Sequence, residues 1–395
     1  MKELSESSPS KIVLVVIDGL GGLPDPRTGK TELETARTPN LDHLAAEGVC
    51  GLSDPVGPGI TPGSGAGHLG LFGYDPLTSN IGRGILEALG IDFDLQPGDI
   101  ATRGNFCTVD SKGLITDRRA GRVATEKNAE LCRLLDGIAI DGVTVLVQPV
   151  KEHRFVAVFR GKDLAAEVTD SDPQHVAMPP KEVAALTSQA AKMASVANKF
   201  IAAAAKVLAQ HHPANMLLLR GFSKRPHLPT MNEIYKLNAA AIASYPMYRG
   251  LAKLVGMTVL ATGTTIEEEF RTLNQNYASH DFFFLHIKGA DSAGEDGDFD
   301  RKVRVIEEAD RAIAELVRLS PDVLVVTGDH STPSLLKSHS WHPVPVLLYS
   351  KYCRTDKVSQ FGESACAGGG LGRIQATHIL PLAMANALKL TKFGA

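Results

Sequence analysis

The chain has 395 residues, 44% of them hydrophobic and 22% charged, with a formal net charge of −3 at pH 7. That length exceeds what one hydrophobic core usually serves, so two domains are expected. The near balance of charge, without a long basic or acidic block, argues against nucleic acid or an anionic membrane surface as partner. The N-terminal segment is polar and reads as no signal peptide, and no apolar run approaches the ~20 residues that span a bilayer. Five scattered cysteines without a Cys-x-x-Cys pair argue against a disulfide framework or a thiolate zinc site and fit a reducing cytoplasm. With 13 histidines available, a tight metal site would be built from carboxylates and imidazoles.

Ile12–Ile17 is a short apolar run that reads as a central parallel strand, with Asp18 at its C-terminal edge. Open α/β sheets place their ligands there, although an isolated Asp-Gly is also a common turn. Residues 21–29 are loop-like. A helix should open at Thr38, a good N-cap, with Pro39 at its first position and Leu41, Leu44 and Ala45 on one face. Ile60–His68 then sets Ser64 among glycines, where its neighbouring backbone N–H groups can face an anion. The context is neither an esterase elbow nor a phosphate-binding P-loop. A nucleophilic Ser64 would therefore be activated by metal coordination sooner than by a histidine base.

Residues 76–228 read as a different unit. Arg83, Arg103, Arg118, Arg119, Arg122, Arg154 and Arg220 recur in short loops beside glycine or asparagine, a setting suited to bidentate grip on phosphate or carboxylate. Val143–Val147 and Phe155–Phe159 suggest strands. Lys181 to about Gln210 reads as a long alanine-rich helix ended by Pro213, and the next strand runs into Arg220.

The α/β pattern returns with a helix over Ala239–Val255, a short strand at Thr258–Leu260 and a buried strand over Asp281–Lys288. Residues 289–298 form an acidic loop without the spacing of a calcium-binding loop. Val303–Leu319 is helical, Val323–Val326 is a buried strand, and Asp329-His330 follows, with His339 nine residues later. A C-terminal helix over Thr377–Leu388 should be kinked or restarted at Pro381. Three apolar strands thus lead into Asp18, Asp291 and Asp329. Along one edge of a parallel sheet these groups, with Ser64, His330 and His339, can converge. Six such groups suffice for two divalent ions about 4 Å apart, which clamp a transferring phosphoryl group.

Four segments carry a family resemblance: Val16-Ile17-Asp18-Gly19, Thr38-Pro39-Asn40-Leu41-Asp42, Ser64-Gly65-Ala66-Gly67-His68 and Thr327-Gly328-Asp329-His330. Together they resemble the alkaline-phosphatase superfamily. The run His68–Pro76, Arg103-Gly104-Asn105-Phe106, Asp117–Arg122 and His339-Ser340 with Pro343-Val344-Pro345 narrow this to the archaeal-type cofactor-independent phosphoglycerate mutases. The resemblance implies an α/β core with a mostly parallel sheet, residues 1–75 and 229–395. It also implies an inserted α+β cap, residues 76–228, with substrate held in the cleft.

The same resemblance implies a mechanism. Ser64 would take the phosphoryl group from 3-phosphoglycerate and return it to the other hydroxyl. One cation would be held by Asp18, Ser64, Asp329 and His330, the other by Asp291, His339 and the residue four after Asp291. Mn²⁺ or Mg²⁺ is expected, with Zn²⁺ or Co²⁺ as alternatives. His68, Arg103, Asn105, Arg118, Arg119, Arg122, Arg220 and Lys288 would contact the substrate, a small phosphorylated metabolite. The family has histidine four residues after the aspartate, whereas this chain has Glu295. Its extra negative charge and hard oxygen would favour Mn²⁺ or Mg²⁺ over softer ions. A related phosphotransferase or phosphatase is the alternative reading, in the cytoplasm and as a monomer or homo-oligomer.

Overall fold

The computed structural model describes residues 1–79 and 81–394. The chain divides into two compact units, Met1–Asn80 with Leu228–Ala395, and Ile81–His227. In the first unit eight strands form one sheet. Their order is Thr258–Val259, Ala239–Ile242, Phe282–Ile287, Ile12–Ile17, Val323–Thr327, Val344–Ser350, Val49–Asp54 and Gly372–Gln375. The central strands are parallel, and only Val344–Ser350 runs against both its neighbours.

Alternation explains the core. Val13, Val15 and Ile17 share one sheet face with Phe283 and Leu285, and Ile306, Ala309, Ile313 and Leu316 of the helix Phe299–Arg318 join the same cluster. The opposite face carries Phe284 and His286, against which His68 packs. Both faces are covered, which is why the strands read as unbroken apolar runs. Register then fixes the site. Val16 lies opposite both His286 and Thr327, so the three central strands end level.

Five expectations need correction. Ala239–Ile242 is a strand, and the helix starts only at Pro246. The helix propensity of its alanines is overridden because the segment is buried between two neighbouring strands. Gly289–Asp296 is a helix, closed by Gly297 in the left-handed conformation. Residues 181–187 are non-helical, since the backbone N–H and C=O of Val183 bond the Asn198 side chain, and the helix runs over Ala191–Leu208. The C-terminal helix begins at Ile379, so Pro381 sits in its first turn, where no backbone donor is lost. Thr38 precedes its helix without capping it through the side chain.

The second unit is built on an antiparallel sheet. Ile115–Asp117, Ile100–Val109, Arg154–Arg160, Val143–Lys151 and Ile138–Ile140 follow in that order, and Met216–Ser223 also pairs with Ile100–Val109. Met193, Ala197, Phe200, Ala204 and Leu208, one stripe of the helix Ala191–Leu208, fill its core. No helix among the described residues is long and apolar enough to cross a membrane.

One buried carboxyl in the first unit makes stability depend on pH. Glu269, on the helix Ile266–Asn276, is pushed up to about 8 by burial, against the opposing hydrogen bonds from Ser244. A folded-state value above the unfolded one means the native state holds the extra proton. Its contribution is complete below the unfolded value near 4.5 and is lost as pH rises towards 8. Glu269→Gln should remove this loss. Between pH 5 and 8.5 the melting temperature of the variant should gain at least about 2–4 °C on the parent. Parallel melting curves across that range would contradict the assignment.

Candidate active site

The level strand ends bring Asp18, Lys288 and Asp329 together. The chain turns across this spot at Gly19, whose φ is +68°, and a Cβ there would lie 2.7 Å from Thr332 Oγ1 and 2.8 Å from Asp291 Cα. Only glycine meets both demands. Ser64 is the first residue of the helix Ser64–Leu71, preceded by Gly63 as N-cap. Its Oγ lies 3.2 Å from His330 Nε2. The helix comes this close because Gly67 has no side chain: a Cβ there would sit 2.1 Å from the Asp329 carbonyl oxygen.

Two groups of donor atoms result, Asp18 with Asp329 and His330, and Asp291 with His330 and His339. His330 belongs to both. Its Nε2 is 3.4 Å from Asp18 Oδ1 and 3.2 Å from Asp329 Oδ2, and its ring stacks on that of His339 at 3.6 Å. The helix Gly289–Asp296 puts Asp291 and Glu295 four residues apart, hence on one side. His339 Nε2 lies 3.5 Å from Asp291 Oδ1 and 3.9 Å from Glu295 Oε1, while its Nδ1–H donates to the Pro62 carbonyl at 2.9 Å. Glu295 is the outlier, with its side chain 55% exposed.

The electrostatics follow from burial. Desolvation opposes charge on Asp18, yet Lys288, His286 and His330 outweigh it and hold the carboxyl well below the usual range. Burial and the neighbouring Asp18 likewise oppose charge on Asp291, but the His339 hydrogen bond and Lys288 bring it to about 2. Against its own desolvation, His339 is raised to about 9 by Asp291. A cation bound there has to displace that proton.

The residues fit a divalent cation. Asp18 Oδ1 and Asp329 Oδ2 are fully buried without a hydrogen bond, although native structures rarely bury polar atoms in this way. Carboxylate oxygens and imidazole nitrogens are the donor set of Mg²⁺, Mn²⁺ and Zn²⁺. Behind them, Asp18 Oδ2 is saturated. It accepts from the Tyr248 hydroxyl, from His286 Nε2–H at 3.0 Å and from Lys288 Nζ at 3.1 Å. Lys288 also donates to Asp291. His68, expected at the substrate, is fully buried, with Nδ1 2.8 Å from the Ser64 carbonyl oxygen and 3.1 Å from Asp329 Oδ2. His342 stands outside both groups, its Nδ1 3.0 Å from Ser340 Oγ.

The second unit gathers the arginines by itself. Arg103 and Arg220 face each other across paired strands. Arg118 grips the buried Asp172 with two hydrogen bonds, 3.0 and 2.6 Å, and Arg220 Nη1 stands 3.5 Å from the same carboxylate. His153 is driven down to about 3, first by burial and then by Arg154, Arg103, Arg119 and Arg122 around it. Asn105 is buried on the same strand as Arg103. Ala120, Gly121 and Arg122 all have positive φ, and Asp117 accepts from the backbone N–H groups of Arg119 and Gly121. The sequence alone gives no role to Asp172, His153, Tyr248 or His286. No local motif marks them.

An α/β core that sets a buried serine at a helix N-terminus against two carboxylate–imidazole groups has the make-up of a phosphoryl-transfer enzyme, with donor atoms suited to divalent cations. A family model described as 2,3-bisphosphoglycerate-independent phosphoglycerate mutase matches residues 45–215. A probable mutase of that name from Thermotoga neapolitana is 52% identical over the whole of this chain and 98% of its own. One from Thermus thermophilus is 48% identical with the same coverage. Among solved structures, the cofactor-independent phosphoglycerate mutase of Thermoplasma acidophilum matches with a TM-score of 0.70 and 32% identity, over 96% of this chain and 100% of that one. A Pyrococcus horikoshii protein matches with a TM-score of 0.85 and 30% identity, over 98% and 100%. The chain belongs to the 2,3-bisphosphoglycerate-independent phosphoglycerate mutase family.

The packing of Ser64 against Asp329 can be tested without reference to activity. Gly67→Ala must push the helix from the Asp329 carbonyl and should cost about 1–3 kcal/mol in denaturant unfolding. A variant as stable as the parent would show that the approach is not constrained.

Proposed function

We propose that this protein interconverts 3-phosphoglycerate and 2-phosphoglycerate without added bisphosphoglycerate, through a phosphoserine at Ser64, in the cytoplasm. The observation that carries the reading is Ser64 itself. It sits at a helix N-terminus, with Oγ 3.2 Å from His330 Nε2 and the Asp18 and Asp329 carboxylates around that nitrogen. Full-length likeness to probable mutases supports the substrate.

In the first half-reaction Ser64 Oγ forms a bond to phosphorus as the bond to the substrate's 3-oxygen breaks. The hydroxyl proton of Ser64 ends on that leaving oxygen. In the second half the 2-hydroxyl oxygen forms the new bond to phosphorus, the bond to Oγ breaks, and the proton lost by the 2-hydroxyl goes to Ser64 Oγ. Two divalent cations, Mn²⁺ or Mg²⁺ with Zn²⁺ or Co²⁺ as alternatives, would be held by Asp18, Ser64, Asp329 and His330 and by Asp291, Glu295 and His339. Their chemistry is to lower the pKa of the attacking hydroxyl and neutralise phosphoryl oxygens. The N-terminal amides of the helix Ser64–Leu71 favour the added negative charge. Lys288 spends its three donors on Asp18, Tyr248 and Asp291 and would turn one of them to the phosphate when substrate binds. His68 steadies Ser64 and Asp329 from behind. Arg103, Asn105, Arg118, Arg119, Arg122 and Arg220 make the inserted unit the substrate-holding domain, taking carboxylate and phosphate through bidentate contacts.

The test is a coupled measurement of 2-phosphoglycerate formed from 3-phosphoglycerate. Activity should persist without bisphosphoglycerate, vanish on chelation and return with Mn²⁺. Ser64→Ala should lower it at least about a thousandfold and abolish trapped phosphoserine. Release of free phosphate in place of the isomer would identify a phosphatase on the same scaffold.

Glu295 is assigned to the second cation, to which its hard oxygen gives a preference for Mn²⁺ or Mg²⁺. Glu295→His should move the activation profile towards Zn²⁺ and Co²⁺. Superimposable metal profiles of parent and variant would remove Glu295 from the ligand set.

A further inference from the structure

Thr332 is fully buried, and its one hydroxyl touches both ligand groups. Oγ1 lies 2.8 Å from Asp291 Oδ1 and 2.9 Å from His330 Nδ1. A hydroxyl has one hydrogen to give and lone pairs to receive with. The carboxylate can only accept, so the hydrogen goes to Asp291. The hydroxyl oxygen is then left to accept from His330, which must carry its hydrogen on Nδ1. That leaves Nε2, the nitrogen facing Ser64, Asp18 and Asp329, with its lone pair outward.

We infer that Thr332 is a positioning residue that fixes the His330 tautomer and ties the Asp291 group to the Asp18–Asp329 group. The inference rests on the two-cation reading above. An imidazole that gives Nε2 to a cation keeps its hydrogen on Nδ1 and needs an acceptor there, and such outer partners commonly govern metal affinity by 10–100-fold. At His339 the Pro62 carbonyl does the same work. At His330 a side chain does it, and so couples the fate of one ligand group to the other. Neighbouring contacts hold Thr332 in place. The buried Lys302 donates to its carbonyl oxygen at 2.9 Å, and Gly19 leaves room for Oγ1.

The experiment is calorimetric titration of the metal-free full-length protein with Mn²⁺ alone, for the parent, Thr332→Val and Thr332→Ser. Valine keeps the shape and deletes the hydroxyl, and should weaken Mn²⁺ binding about 10–100-fold. Serine restores the hydroxyl and should bind close to the parent. If the valine variant does not fold, as judged by its melting curve, Thr332→Ala against Thr332→Ser makes the same comparison. Two results overturn the proposal: a folded variant without the hydroxyl that binds like the parent, or a serine variant that binds as poorly as valine or alanine. Asp18→Asn and Asp291→Asn separate the levels. Each should remove one Mn²⁺ from the stoichiometry. Unchanged stoichiometry in both overturns the two-cation reading and the Thr332 proposal with it. Loss of ions there with unaffected Thr332→Val binding overturns the Thr332 proposal alone.

Discussion

The constraint on which the first unit depends is the burial of Asp18, Asp291 and Asp329 within one small volume. Desolvating three carboxylates beside one another is unfavourable unless each finds compensation. Lys288 supplies a positive charge to two of them. Donors surround Asp18 Oδ2, and Gly19 N–H donates to Asp329 Oδ1 at 3.1 Å. Asp18 Oδ1 and Asp329 Oδ2 stay uncompensated by hydrogen bonds. That residual negative charge, gathered around His330 Nε2, is what a divalent cation would neutralise, so stability and proposed function share one electrostatic requirement.

The topology serves that requirement. Parallel strands in level register deliver their C-terminal ends to one edge, which accounts for Asp18 and Lys288 beside Asp329. It does not account for His339. That residue returns because Val344–Ser350 reverses direction along Val323–Thr327, so the intervening loop must double back. Ser340 N–H closes it by donating to the Ser331 carbonyl at 2.9 Å. The reversal of one strand thus lays the His339 ring on His330.

What could be read from the sequence was what local pattern determines. Asp18 and Asp329 follow unbroken apolar runs, Ser64 stands in a glycine-rich stretch, and the arginines stand beside glycine or asparagine, although Arg103 and Arg220 lie on strands where short loops are expected. Each signal lies within about ten residues. What could not be read was created by distant partners. Ala239–Ile242 is helical by propensity and extended only because strands flank it. Gly289–Asp296 looks like an acidic loop until Gly297 and the packing around it give it a helical shape. Tyr248, His286 and Asp172 have no motif. They matter because the fold aims a hydroxyl, an imidazole or a carboxylate at a group far away in the chain. The Thr-x-x-Glu capping boxes at Thr31, Thr230 and Thr265 were legible in principle, since the pairing is local.

Helicity of Gly289–Asp296 also changes how Glu295 is understood. In a loop, a fourth residue after Asp291 has no fixed direction. On a helix it shares a side with Asp291 and reaches His339. A histidine there would bring a neutral ligand to a partly exposed place, whereas glutamate brings charge. In the buried interior that charge would add to the repulsion among three carboxylates. With its side chain 55% exposed, Glu295 keeps most of its hydration and its charge is screened by water. A glutamate is therefore tolerated at the rim of the cluster, whereas a further carboxylate beside Asp18 and Asp329 would be costly. At the rim, the Glu295 carboxylate calls for no further buried cation to hold the fold together.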